Sequence, residues 1–346
     1  MHWTVLAPFN EKYTDSDWLS PYVPGNCHEF LFIPRPGKET NWHTKTVPVT
    51  NSNEWVDFWK QTDQAMAERQ GGIITVFPQL AALAGLRQRM SGKRFPVLSW
   101  WLNTDAYTGV KGWIARAALE SVDKFVVHTR CEAEYYSEWL GFPLDRFEFV
   151  PLQKPEFPRL GEEEQENPFI FSTGSGHRDY GTLFKAVEKL NIKMLVAPGR
   201  HAVAGLEVPS QVDIRFEITK PEIIKASQQA RINVIPMTTE GPTGGTVTIV
   251  ESMRMGCAII ATRRSGVEDY LEDGVTALLV DPHSEEQMTE AIERLWNDPE
   301  LRKRLGKAAY DHAVKHCSDE AAGVHLERIL NNLEDEYSSE EIYKVA

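Results

Sequence analysis

The sequence predicts an α/β protein of two doubly wound parallel-sheet domains joined by one linker. Three observations carry this. Short apolar runs alternate with stretches of helical periodicity along almost the whole chain, the pattern of parallel strands covered by crossover helices. The alternation breaks once, at "QKPEFPRLGEEEQENP", where prolines and acidic residues replace apolar ones. The length, 346 residues, suits two domains that each bury a core.

In the first half, "HWTVLAPF" and "EFLFIPR" read as strands and "WVDFWKQTDQAMAERQ" as a helix. "GIITVFP" is a strand, "LAALAGLRQRM" a helix and "FPVLSWWL" a strand. "GWIARAALESV" (helix), "KFVVHT" (strand), "EAEYYSEWLG" (helix) and "FEFVPL" (strand) complete it. After the break, "FIFSTG" opens a second series. "YGTLFKAVEKL" puts Tyr180, Leu183, Phe184, Val187 and Leu190 on one helical face. "KMLVAPG", "DIRFEIT", "INVIPM", "CAIIAT" and "ALLVDP" are strands. Pro221 suits the first position of the helix "PEIIKASQQA", and Ser284 with Gln287 starts another as a capping box. The division is a first domain over 1–154, a solvated linker over 155–168, a second domain over 169–330 and an acidic tail over 331–346.

Apolar content of 42% with 25% charge is an ordinary globular balance, and a net charge of −13 disfavours nucleic acid as a partner. Four scattered cysteines without a C-x-x-C pattern read as reduced thiols in the cytoplasm. The N-terminus lacks a signal-peptide pattern and no apolar run approaches membrane-spanning length. The basic cluster Arg87, Arg89, Lys93 and Arg94 allows weak peripheral contact with an inner membrane face over residues 79–94; a solvated helix end is the blander alternative. No metal site is expected. His312 and His316 lie one turn apart without an adjacent third ligand, and Asp15-x-Asp17 ends no strand.

Two segments carry chemistry. In "INVIPMTTEGPTGGTVTIVESMRMG" a strand runs through a loop into a helix. Gly244 and Gly245 let backbone amides approach a ligand, and the helix start near Thr246 is an anion site suited to phosphate. Glu251, about a turn and a half in, can accept two sugar hydroxyls. Phosphate and sugar together suggest a nucleotide sugar. In "STGSGHRDYGTLFKA" the loop of Gly174, Ser175 and Gly176 brings Arg178 to a helix start, where a cation is unfavourable unless an anion binds.

"RDYGTLFKAVEKL", "VDKFVVHTRCEAEYYSEWLGFPLDRFEFVPL" and "GGTVTIVESMRMGCAIIATRRSGVEDYLEDGVTALLVDP" resemble the GT-B glycosyltransferases grouped as glycosyltransferase family 4. The likeness covers about 95 to 330 and is most specific over 240–282. It implies two Rossmann-like domains facing a central cleft, with the nucleotide-diphosphate sugar mainly on the C-terminal half and the acceptor on the N-terminal half. It implies retaining, metal-independent transfer without a cofactor, and a tail helix packing back on the N-terminal domain. By position, Arg178 falls where the family's diphosphate-binding lysine lies, and Glu251 matches the second glutamate of its Glu-x7-Glu motif, which holds ribose. Amides around Thr246 and Val247, with Thr248 beside them, would hold phosphate together with the Gly174–Gly176 loop. Gly199 and the segment Glu217 to Lys220, including Thr219, would line the nucleobase pocket. The first motif glutamate would fall at Thr243, and Glu240 stands three residues away as the candidate hexose contact. An arginine expected near Ser172 and a histidine after the fourth strand are missing. "SWWLNTDAY" offers Asn103 and Asp105, which could hold acceptor or donor hydroxyls.

The expected function is transfer of a hexose from a nucleotide-diphosphate sugar, UDP-linked rather than GDP-linked, to a hydroxyl acceptor in glycolipid, polysaccharide or glycoside synthesis. A non-catalytic scaffold of the same fold and a nucleotide-sugar epimerase are the alternatives.

Overall fold

The computed structural model describes residues 1–9, 20–36, 50–239 and 244–345. They divide into two compact units, Met1–Val150 with Ala322–Ala346, and Pro151–Ala321.

The first unit holds a parallel sheet of β1 (His2–Leu6), β2 (Glu29–Ile33), β3 (Gly72–Val76), β4 (Val97–Trp101), β5 (Lys124–Val127) and β6 (Phe147–Phe149), in the order β2-β1-β3-β4-β5-β6. Its helices are α1 (Ser52–Glu68), α2 (Pro78–Ser91), α3 (Gly109–Leu119) and α4 (Arg130–Leu140). Asn51 with Glu54, and Thr129 with Glu132, form reciprocal capping boxes that fix where α1 and α4 begin. Strand alternation feeds two cores. Leu6, Ile73, Val97 and Phe125 point to one face; Trp3, Val5, Ile74, Leu98 and Val126 point to the other.

The second unit repeats the plan. Its strands are β7 (Ile170–Gly174), β8 (Met194–Pro198), β9 (Val212–Ile214), β10 (Ile232–Ile235), β11 (Ile259–Thr262) and β12 (Leu278–Val280), in the parallel order β12-β11-β10-β7-β8-β9. The helices are α5 (Tyr180–Leu190), α6 (Lys220–Gln229), α7 (Thr246–Arg254), α8 (Glu285–Asn297) and α9 (Pro299–His316). Tyr180, Leu183, Phe184 and Val187 of α5 enter the core with Val196, Val234 and Ile260. The strand expected over "DIRFEIT" shortens to three residues because β9 is an edge with one neighbour, β8. Helix α6 begins at Lys220, so Pro221 is its second residue rather than its first, and Thr219 with Glu222 starts it.

Two boundaries differ from the sequence expectation. The segment 155–168 is part of the second unit rather than a free linker. The Leu160 amide donates to Gln228 Oε1 (2.7 Å), and Glu163, expected to be solvated, accepts from Arg231 (3.1 Å) and Arg302 (2.7 Å). The last helix, α10 (Asp319–Val345), is continuous, and from Ala322 it belongs to the first unit. Ala322, Leu326, Ile329, Leu330 and Leu333 bury themselves against the Trp3 and Trp100 face of the sheet, which α1–α4 leave uncovered.

Candidate functional site

In an open α/β sheet the ligand crevice lies beyond the carboxyl ends of the strands, where the strand order reverses. In the second sheet that point is between β7 and β10. The loops leaving these strands are the two glycine-rich segments. An antiparallel bridge between Arg178 and Met237 ties them together, with the Thr238 amide donating to His177 O (3.1 Å). The chain order alone therefore brings Arg178 to the start of α7.

Arg178 precedes α5 by two residues, and its side chain turns toward α7. The guanidinium donates to Thr173 O (3.2 Å), Gly176 O (2.9 Å) and Thr248 Oγ1 (3.0 Å). All three acceptors are neutral, and no carboxylate pairs with Arg178 among the described residues. Burial pulls the guanidinium below its usual range; Tyr180 opposes this and the nearby charge of Arg264 adds to it. Gly174 has φ +114°, and a Cβ there would collide with the Arg178 guanidinium, so glycine is what lets this side chain fold back. Burial also pushes the Tyr180 phenol up to about 12, and its hydroxyl donates to Gly174 O (2.8 Å).

The two helix starts differ. Asp179 caps α5, accepting from the Thr182 amide (3.1 Å) and hydroxyl (2.7 Å), and it also meets His283. The α5 dipole is already answered, so the "STGSGHRD" loop contributes Arg178 rather than a helix-end site. At α7 the N-cap is Gly245, at φ +78°, with no side-chain cap. A Cβ there would strike Met237 Sδ. The amides of Thr246, Val247 and Thr248 open α7 beside the Arg178 guanidinium. Gly244 packs near Arg264, whose guanidinium donates to Thr238 O (2.8 Å).

Glu251 is buried one turn further along α7. Lys220, at the start of α6, donates to its Oε2 (2.5 Å), and Lys154 approaches Oε1 at 3.3 Å. A carboxylate offers about four lone-pair positions, so both lysines leave room for further donors. Gly199 follows β8 and precedes a 3-10 turn, and its neighbour Arg200 pairs with Glu217 (3.4 Å) and lies over Phe216. Gly176 has open space around it. Thr219 is the N-cap of α6.

Asn103 and Asp105 lie in the first unit, in the connection from β4 to α3, and both are exposed. Three aromatic side chains of α4 hold that connection. Tyr136 Oη accepts from the Thr104 amide (3.1 Å) and donates to its carbonyl (3.0 Å), Tyr135 Oη accepts from the Ala106 amide (3.3 Å), and Trp139 Nε1 donates to Tyr107 O (2.8 Å). Burial raises the Tyr136 phenol far above its usual range, with Glu132 adding to the effect. Trp100 is core, and Trp101 packs on Phe77 and His128.

Glu240, Thr243, Asp15 and Asp17 lie outside the described residues. In the basic cluster at the end of α2 and just beyond it, Arg87 pairs with Asp63, Arg89 with Glu120 and Arg94 with Asp123. The His312 and His316 rings sit 4.7 Å apart, and among the described residues no group of three metal-ligating side chains forms. No helix is long and apolar enough to cross a membrane among the described residues.

Two site residues escaped the sequence reading. Arg264 follows β11 at the same carboxyl edge, so the strand-end rule alone could have flagged it. Lys154 sits in the segment read as linker, and nothing local in "LQKPEF" signals its approach to Glu251.

Residues 162–312 match the family described as glycosyl transferases group 1. Among curated proteins, an α-D-kanosaminyltransferase of Streptomyces kanamyceticus is 34% identical over 86 residues, 23% of this chain and 22% of that protein. A D-inositol 3-phosphate glycosyltransferase of Paenarthrobacter aurescens is 27% identical over 128 residues, 37% of this chain and 31% of that protein. The matches therefore span less than a third of these relatives. Among solved structures, a sucrose-phosphate synthase from Thermosynechococcus elongatus aligns with TM-score 0.70 at 16% identity, covering 97% of this chain and 99% of that one. A lipopolysaccharide outer core galactosyltransferase aligns with TM-score 0.65 at 13% identity, covering 97% and 100%. At such identities the likeness establishes the fold, which is GT-B.

Proposed function

We propose that this chain, whose residues 162–312 match the family described as glycosyl transferases group 1, is a glycosyltransferase using a nucleotide-diphosphate sugar, with the donor on the second unit. The observation that carries this is Arg178. A desolvated guanidinium with only neutral acceptors among the described residues, a second arginine nearby and a helix start without a side-chain cap beside it favours a multiply charged anion. Glu251, behind it on the same helix, suits the ribose hydroxyls, with Lys154 and Lys220 fixing its carboxylate.

In this reading the bond from the anomeric carbon to the diphosphate oxygen breaks, and its electron pair leaves with the diphosphate. Arg178 and the α7 amides stabilise that growing charge. The acceptor hydroxyl attacks from the face the diphosphate leaves, forms the new glycosidic bond and gives its proton to the departing diphosphate oxygen, so the configuration is retained. Fixed cations take the part a divalent metal would play, so transfer is metal-independent. The donor is a UDP-sugar, and the acceptor lies on the first unit near Asn103 and Asp105. The D-inositol 3-phosphate glycosyltransferase relative supports a hydroxyl acceptor.

The test is nucleotide release from UDP-sugars in the presence of a chelator, with and without candidate acceptors. Acceptor-dependent release is expected. Nucleotide binding without release would indicate a scaffold, and release that needs manganese would refute metal independence.

A further inference from the structure

A groove of about 440 Å³ opens on the first unit, among α1, α2, α3 and the connection after β4. Its walls are Trp55 of α1, Ala82 of α2, Ile114 of α3, Tyr107 and Trp139. Lys111 is the one charged residue among those that line it, and Lys111 makes no ion pair or hydrogen bond among the described residues.

The position bears on ligand binding. Pro78 and Gln79 follow β3, and Thr104 and Tyr107 follow β4, so the groove stands at the carboxyl edge of the sheet, where open α/β sheets bind ligands. Thr104 and Tyr107 come from the same clamped connection as Asn103 and Asp105. Trp55 and Tyr107 remain 40% and 44% exposed, a large aromatic surface to leave in water. The walls are prearranged: Trp139 is held by its bond to Tyr107 O and by ring contacts with Tyr107 and Tyr136.

We propose that this groove seats an acceptor with an aromatic body and one anionic group. The ring system lies between Trp55, Tyr107 and Trp139, where offset and edge-on aromatic contacts are available. Lys111 meets the anion. Its unmatched positive charge, with no acidic side chain lining the groove among the described residues, argues for this occupant over a neutral one. The proposal rests on the glycosyltransferase reading for the word acceptor, and on the groove alone for the ligand chemistry.

The test uses two fluorescent probes on the full chain: anionic 1-anilinonaphthalene-8-sulfonate and neutral N-phenyl-1-naphthylamine. Each should bind near one per chain with blue-shifted emission. Ala82→Phe, which fills the groove, should abolish both signals, and Ile114→Asp serves if that variant does not fold. Lys111→Met should weaken the anionic probe about tenfold, the scale of a charge-assisted hydrogen bond, and leave the neutral probe unchanged. UDP binding by calorimetry should survive every groove variant. Probe binding that persists in both groove variants, or a Lys111→Met effect equal on both probes, overturns the proposal. Loss of binding in Trp113→Ala, outside the groove, together with sedimentation on anionic phospholipid vesicles, would make the face a membrane patch instead. UDP binding without probe binding removes the groove proposal and leaves the transferase reading standing. Probe binding without any nucleotide binding removes the acceptor role.

Discussion

Each unit carries a strand, a loop and an uncapped helix at the carboxyl edge of its sheet, and the two are chemically opposite. The second unit presents the α7 amides and Thr248 after β10 and the half-buried guanidinium of Arg178 after β7, with a second arginine nearby. After β4 the first unit presents Tyr107, Ile114 and Trp139, and its α3 N-cap, Thr108, makes no side-chain cap either. The same local topology therefore does not fix the ligand. On the reading proposed above, fixed charge beside a helix start without a side-chain cap suits an anion in one unit, and aromatic walls with a lysine suit a largely apolar body in the other.

The largest effect that would break this contrast is on Arg178. Arg178→Ala should lower kcat by about 10²-fold or more, because the charge it faces grows as the sugar–phosphate bond breaks. Near-normal kcat at saturating donor would reduce Arg178 to a structural arginine. Glu251→Gln should act on binding, raising the donor KM about tenfold with a smaller change in kcat, because ribose hydroxyls do not change during reaction. An equal loss in kcat would place Glu251 at the reacting centre.

Two smaller effects sharpen the description of the first unit. Tyr136→Phe removes both bonds to Thr104 and should cost about 1–2 kcal/mol in chemical denaturation while leaving UDP affinity unchanged. A change in UDP affinity would mean that the clamp serves the donor. The smallest effect is on pH. His28 is buried under α10, where Trp3 Nε1 donates to its Nδ1 (3.3 Å) and its Nε2 faces Asn331 Oδ1 (2.9 Å). Burial lowers its pKa, opposed by the Asn331 bond and by Glu334 and Glu327, while the N-terminal ammonium adds to the lowering. A folded pKa below the unfolded value means the stabilisation is complete above about 6.5 and is lost as pH falls toward the folded pKa. Between pH 7.5 and 5.5 the wild-type melting temperature should fall further than that of His28→Gln. Equal slopes would remove His28 from the explanation.

The fold was legible because strand-helix alternation is a local property. The boundary residues were not legible, because they depend on distant partners. Glu163 finds Arg231 and Arg302 only after folding, and α10, expected to pack back on the first domain from 331, already belongs to it from Ala322. At the candidate site, Arg178, Gly245 and Glu251 announced themselves by residue type and position in strand-loop-helix units. Lys154 did not, since its approach to Glu251 spans ninety-seven positions of sequence. The aromatic groove was invisible for the same reason, being assembled from α1, α2, α3 and α4, whose sequences each read as ordinary helices.

The most direct test of the diphosphate assignment is calorimetric titration of UDP and of uridine into wild-type and Arg178→Ala protein, with chelator throughout. Wild-type protein should bind UDP about 100-fold more tightly than uridine, the scale of two charge-assisted hydrogen bonds, and Arg178→Ala should erase most of that gap while leaving uridine affinity unchanged. An unchanged gap in the variant, or one that appears only when a divalent cation is added, would contradict it.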